Sequence, residues 1–215
     1  MARQIGFAAA VLLLLTSASL GQDVNRFDIS LGAAGIFPKH STGNGIAQTA
    51  TNSVAFLATA RWRLNLKHSI EVNYARGKDS QIYTTPFLFR IQSNITEFTG
   101  AYVFTPVETK RFEPFVFAGA GVLVFNPFNT FVQTVQVTVP SDRQTQGAFL
   151  YGGGVDYKIF SSIPLIKRSD AASHLALRFQ YRGLFYKVPN FKNSDLVTGS
   201  RGHLAEGAGG IVIKF

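Results

Sequence analysis

The chain has no cysteine, a single tryptophan and only 15% charged residues. Without thiols, neither a disulfide framework nor a thiolate metal centre is available, and no cofactor or metal site is expected. So little charge is unusual for a surface that faces water, and 20 phenylalanines must then be covered by a large core or by lipid. Beyond residue 21 no apolar run reaches the ~20 residues of a membrane-spanning helix, and no long segment shows helical periodicity. Long basic runs are also missing, although the formal charge is +9. Nucleic-acid binding needs Lys and Arg gathered on one element. Here they are scattered, with no basic run longer than Lys167-Arg168. That excludes nucleic acid and favours anionic lipid headgroups as partner.

What the chain does have begins with an export signal. Arg3 supplies a positive start, Ile5 to Leu15 is apolar or small, and Thr16 to Ser19 form a small-residue cleavage zone. Residues 1–21 therefore read as a signal peptide and residues 22–215 as the mature domain.

The mature chain alternates with period two, which places one set of side chains on each face of a strand. Leu57, Thr59, Arg61 and Arg63 alternate with Phe56, Ala58, Ala60 and Trp62; Glu71 and Asn73 with Ile70, Val72 and Tyr74. Comparable stretches start near Phe27, Asn94, Glu113, Gly147, His174 and His203, giving eight strands. Glu113 to Asn126 is apolar on both faces, so its facing stays open. Long connections (Pro38 to Ser53, Gly77 to Arg90, Pro127 to Gln146, Pro189 to Gly202) alternate with shorter ones (Asn65 to Lys67, Pro106 to Phe112, Ser161 to Ser173). Such asymmetry characterises up-and-down membrane barrels, and an even strand number leaves both termini on the short-turn side.

The polar registers separate a barrel from a soluble sandwich. They carry Asp28, Glu71, Glu97, Asp156 and Glu206 against Arg61, Arg63, Lys158, Arg178 and Arg182, five of each sign. A desolvated lumen requires that balance, because unpaired buried charge is costly. The apolar registers carry Phe, Tyr, Trp, Leu and Ile, with Trp62, Tyr102, Phe104 and Tyr157 placed for an interfacial girdle. The expected fold is an all-β, eight-stranded antiparallel transmembrane barrel. Thr130 to Val139 also alternates; it either extends the fifth and sixth strands as a protruding hairpin or adds two strands to make ten.

The chain ends Gly210-Ile-Val-Ile213-Lys-Phe215. This resembles the assembly signal that outer-membrane proteins present to the barrel-assembly machinery, with Gly210, Ile213 and Phe215 as its key positions and Gly209 where a polar residue is usual. Together with Pro114 to Gly121 and Arg182 to Lys187, the mature chain resembles the small outer-membrane β-barrel family, which includes OmpX-like proteins and the OmpA membrane domain. The resemblance implies a bacterial outer-membrane location, contact with membrane lipids and lipopolysaccharide, a monomer, and a structural, adhesive or surface-interaction role.

Two other roles compete: a narrow passive channel and a lipid A-modifying hydrolase. Deacylase barrels of the second kind carry a His-x-Ser pair, but the residues two positions after His40, His68, His174 and His203 are Thr42, Ile70, Ala176 and Ala205. His203 and Glu206 fall on opposite strand faces. Gly152-Gly-Gly-Val155 lacks the following helix that a phosphate loop requires. No catalytic residues are therefore expected.

Overall fold

The computed structural model describes residues 26–84, 88–133, 135–137, 142–159, 175–193 and 196–215. The expected signal peptide and the Ser161 to Ser173 connection lie outside them. Eight long antiparallel strands close on themselves: β1 (Phe27–Pro38), β4 (Ser53–Arg63), β5 (His68–Thr84), β6 (Leu88–Phe104), β7 (Phe112–Val132), β9 (Gln144–Lys158), β10 (Leu175–Lys187) and β11 (Arg201–Lys214). Closure runs through β1 against β11, from Asp28 opposite Lys214 to Pro38 opposite Leu204. At the seam the Phe215 amide donates to the Phe27 carbonyl at 2.7 Å, and the Phe27 amide donates back at 3.2 Å. No sheet edge is left along the wall, the only β arrangement that satisfies every backbone group in hydrocarbon.

Three short strands decorate the end opposite the termini. β2 (Ser41–Gly43) and β3 (Ile46–Ala50) form a hairpin seated on the upper part of β5. Its two-residue turn is Asn44-Gly45, both with positive φ (52° and 74°), as a tight primed turn demands. β8 (Val135–Val137) pairs with the tip of β7.

Two expectations about this end need correction. Gly77 to Arg90 is not a long loop: β5 runs on to Thr84 and β6 begins at Leu88, the two pairing throughout. Nor do the fifth and sixth strands rise together, because β9 stops at Gln144 opposite Phe125. The strand that extends with β7 is β6, as far as Phe89 opposite Val132. Thr130 to Val137 caps that extension and adds no wall strands, so the barrel has eight and not ten.

Alternation sorts the side chains without exception at charged positions. Every carboxylate on a strand points inward and is buried: Asp28, Glu71, Asp79, Glu97, Glu113, Asp156 and Glu206. The outer wall instead exposes Leu31, Phe56, Trp62, Ile70, Val72, Phe98, Val116, Phe179 and Ile211. An apolar belt around the whole girth would be an aggregation surface in water; in a bilayer it is the solvated face.

Inward glycines let the wall curve tightly. A Cβ on Gly119 would press into the Gly100 carbonyl of the neighbouring strand, whereas a Cβ on outward Gly100 would meet open space. Gly119→Ala is therefore expected to lower refolding yield and unfolding midpoint sharply, and Gly100→Ala to leave both near wild type. Urea titrations in detergent micelles compare the two, and equal behaviour would refute this account of the curvature.

Candidate functional site

The inner face holds two charge clusters stacked along the barrel axis. In the cluster nearer the termini, charges alternate across the lumen. Glu71 on β5 pairs with Arg61 on β4 at 2.8 Å and with Arg178 on β10 at 3.3 Å. Arg178 holds Asp156 on β9 with two parallel bonds of 2.7 and 2.9 Å, the planar two-point geometry that suits guanidinium and carboxylate. Lys214 then bridges Asp156 at 3.3 Å and Glu113 at 2.6 Å. Arg63 joins Glu113 to Asp28, the latter at 3.4 Å. Four acids thus meet four bases. The Phe115 ring lies inside this cluster, with the Arg61 and Arg178 guanidinium carbons 4.2 and 5.1 Å from its centroid. Gly154, directly across from Phe115, leaves room for the ring.

One turn of polar residues higher, Arg182 pairs with Glu206 at 2.7 Å and with Glu97. Thr99 donates to Glu97 at 2.7 Å. Between the clusters, the Asn73 side chain and the Gln180 side-chain oxygen are buried without a hydrogen-bond partner among the described residues. A cavity beside Arg178, lined by Ser30, Leu57, Gln180 and Ala208, measures about 10 Å³, close to the space of one water.

Of the ten charged residues expected to face the lumen, nine are buried there: Asp28, Arg61, Arg63, Glu71, Glu97, Asp156, Arg178, Arg182 and Glu206. Lys158 is not part of either buried cluster. It sits at the mouth beside the termini, 24% exposed, paired with Glu108 of the turn after β6. Glu113 and Lys214 belong to the site as well. Glu113 opens a segment that is apolar on both faces, which hid its facing. Lys214 lies on the inward register of the last strand.

Above Arg182 the lumen turns apolar. Leu150, Leu184, Leu204, Phe125 and Tyr186 fill it, and Phe191 and Leu196 from the connection after β10 fold in from above. Phe191 and Lys192 take the left-handed conformation (φ 51° and 61°), uncommon outside glycine and held only where contacts compensate. Gln144 supplies some of them, accepting from the Asn190 and Phe191 amides at 2.9 and 2.8 Å. Tyr83 donates to the Pro189 carbonyl.

No protein-family model and no curated protein matches the chain. Solved structures do. OprG from Pseudomonas aeruginosa matches 90% of this chain and 99% of its own, with a TM-score of 0.58 at 13% identity. Neisserial surface protein A covers 88% and 97% (TM-score 0.49, 18% identity). Ail of Yersinia pestis covers 86% and 97% (TM-score 0.47, 16% identity). The chain has the fold of the small outer-membrane β-barrels. At such identities the likeness reaches the fold and stops there. Barrels of this fold carry short turns on the periplasmic side and longer connections outside, and on that ground the mouth beside the termini is called periplasmic and the decorated end extracellular.

The outer wall brings no histidine, hydroxyl and carboxylate together among the described residues. His203 Nε2 lies 2.9 Å from the Tyr151 hydroxyl, and His40 Nδ1 lies 2.6 Å from that of Thr49. Glu206 is turned into the lumen beside Arg182.

A third polar group sits at the extracellular end. On β5 the outward apolar residues end at Tyr74 and give way to exposed Arg76 and Lys78, so Asp79 lies above the hydrocarbon. It is buried and accepts from Thr51 Oγ1 at 3.1 Å, the Ser80 amide at 2.6 Å and Gln81 Nε2 at 2.7 Å. Burial outweighs those bonds and raises its pKa to about 6. The titratable groups that face it, Tyr83 and Tyr186, stay neutral in this range.

Two outcomes follow. Arg182→Ala leaves Glu97 and Glu206 buried without their counter-charge and is expected to cost about 3–5 kcal/mol of unfolding free energy, against less than about 1 for Lys158→Ala at the rim. Equal losses in a urea titration would contradict the burial argument. For Asp79 the folded pKa lies above the unfolded one, so its contribution is complete below about pH 4 and is lost as pH rises through about 6. Wild type should weaken across that window while Asp79→Asn keeps a flatter profile; parallel profiles would contradict the assignment.

Proposed function

We propose that the protein is a monomeric surface scaffold of the outer membrane with a closed lumen, acting through its extracellular end and not as a conduit or an enzyme. One observation carries this reading: the lumen is occupied along its height, by paired charge below and by apolar side chains and an inturned loop above. A small eight-stranded barrel has an interior that side chains can fill, and here they leave space for about one water beside Arg178. Among the described residues Glu206 is turned into the lumen beside Arg182, away from His203, whereas hydrolysis needs an oriented base.

On this reading residues 1–21 direct export. Gly210, Ile213 and Phe215 present the last strand to the barrel-assembly machinery, and the backbone pairing of Phe215 with Phe27 makes that strand the closing one. The luminal network has a structural role, fixing the register of strands far apart in sequence. At the extracellular end the tall β5–β6–β7 sheet stands above the rest of the rim, available to lipopolysaccharide, a surface or a host molecule.

Refolded mature protein in a planar bilayer is expected to show no steady single-channel conductance. Arg178→Ala should stay silent too, because the apolar layer above it remains. Steady conductance in wild type would reject the closed lumen and make a pore the leading function.

A further inference from the structure

The lipid-facing wall of β1 and β11 differs from the rest of the belt. Its outward positions are small over two consecutive rows, Ala33 beside Gly209 and Gly35 beside Gly207; in the next row Ala205 is small but faces Phe37, whose ring lies over Gly35, 3.2 Å from where a Cβ would stand. The flanking strands present large side chains to the same rows, Phe56 and Val54 on β4 and Phe179 and Tyr181 on β10. The result is a shallow groove that runs along β11 and narrows beside Phe37 to about one strand spacing, or roughly 5 Å. A Cβ on Gly207 would meet nothing within 4 Å, so the groove floor there is open.

The extracellular head of this groove is cationic. Lys39 continues β1, its amide bonded to the His203 carbonyl at 2.9 Å. One row higher, Lys187 on β10 stands directly opposite Arg201 on β11. All three are exposed and outward, and all lie within two rows and three strands, a span that one headgroup covers. Every strand carboxylate is inside the barrel, and among the described residues none of the three is paired with a carboxylate. Beneath them His203 is 8% exposed, its ring tilted by 43° against Phe185 with centroids 4.5 Å apart; among the described residues its Nδ1 has no hydrogen-bond partner.

We propose that this face binds one phosphorylated glycolipid of the lipid A type from the outer leaflet, an acyl chain lying in the β1–β11 groove and its phosphates held by Lys39, Lys187 and Arg201. Three clustered cations suit a headgroup with more than one phosphate better than the single charge of a phospholipid. A second copy of the chain is disfavoured, because a two-fold contact across this face would set six cations against one another in a low-dielectric layer. The site rests on the membrane placement above and names the lipid partner of the scaffold. It is independent of the closed lumen, so a conducting barrel would overturn the earlier reading and leave this one standing.

Native mass spectrometry of the refolded mature protein tests it, with diphosphoryl lipid A offered against phosphatidylglycerol and phosphatidylcholine. Wild type should retain one lipid A per barrel in preference to both phospholipids. Lys187→Gln and Arg201→Gln should each lower retention roughly fivefold, the effect of one basic side chain at an anionic membrane surface. Gly207→Leu should abolish retention while folding normally, since it fills open space at a residue with ordinary φ. Arg76→Gln with Lys78→Gln, on β5 three strands round the rim from β11, should change nothing. Equal loss from that pair would mean diffuse attraction and overturn the site, as would equal retention of phosphatidylglycerol. Undiminished lipid A on Gly207→Leu, or a wild-type dimer that this variant dissociates, would overturn it as well.

Discussion

Closing a sheet of eight strands cuts its inner face off from bulk water, and most of the structure answers that constraint. Once β1 pairs with β11, a charged side chain on an inward register needs a counter-charge from a neighbouring strand or from across the lumen. The arrangement meets this need by alternation. Glu71, Arg178, Asp156, Lys214, Glu113, Arg63 and Asp28 form an unbroken series across the lumen. These residues come from β5, β10, β9, β11, β7, β4 and β1, so the series links seven of the eight wall strands through side chains. Buried ion pairs are weak net stabilisers, yet a wrong register would strand a charge without its partner. Their value here lies in which barrel forms more than in how firmly it holds. A slip of one residue would also turn every such charge out into lipid.

The two luminal layers divide the work. The periplasmic half is held by directional contacts among charged groups and the Phe115 ring. The extracellular half is held by apolar packing, into which the connection after β10 contributes Phe191 and Leu196. That connection accepts two left-handed residues in order to turn its side chains inward. Strain at a loop with no evident chemistry is intelligible if the loop's position matters, and its position sets Phe191 and Leu196 on the apolar layer.

Much of this was legible in the sequence. Period-two alternation, sharpened by charge on one register, placed all eight wall strands and nine of the buried luminal charges. Legibility failed where alternation lost contrast. Glu113 opens a strand that is apolar on both faces, because Phe115, Phe117, Leu123 and Phe125 point inward against outward Val116 and Val122. No pattern of polarity can orient such a strand; its glycines and its neighbours do. The extracellular extensions failed differently. Gly77 to Gln81 is polar on both faces, Lys78 outside and Asp79 and Gln81 inside, which is what a strand looks like once it has left the membrane. The β2–β3 hairpin was signalled by Asn44-Gly45, a turn pair with a known geometry, inside a connection that otherwise reads as a loop.

The outward cations of the wall, Lys39, Arg76, Lys78, Arg90, Lys187 and Arg201, all stand at the extracellular end, while the outward periplasmic positions carry Trp62, Tyr102, Phe112 and Phe215. A barrel that enters from the side of its termini must carry these six charges through hydrocarbon, where a lipid-facing Arg or Lys costs about 2–4 kcal/mol at the midplane. The same barrier faces any return journey. The rim is therefore a kinetic barrier in both directions: it slows unassisted entry, and after entry it slows withdrawal or inversion.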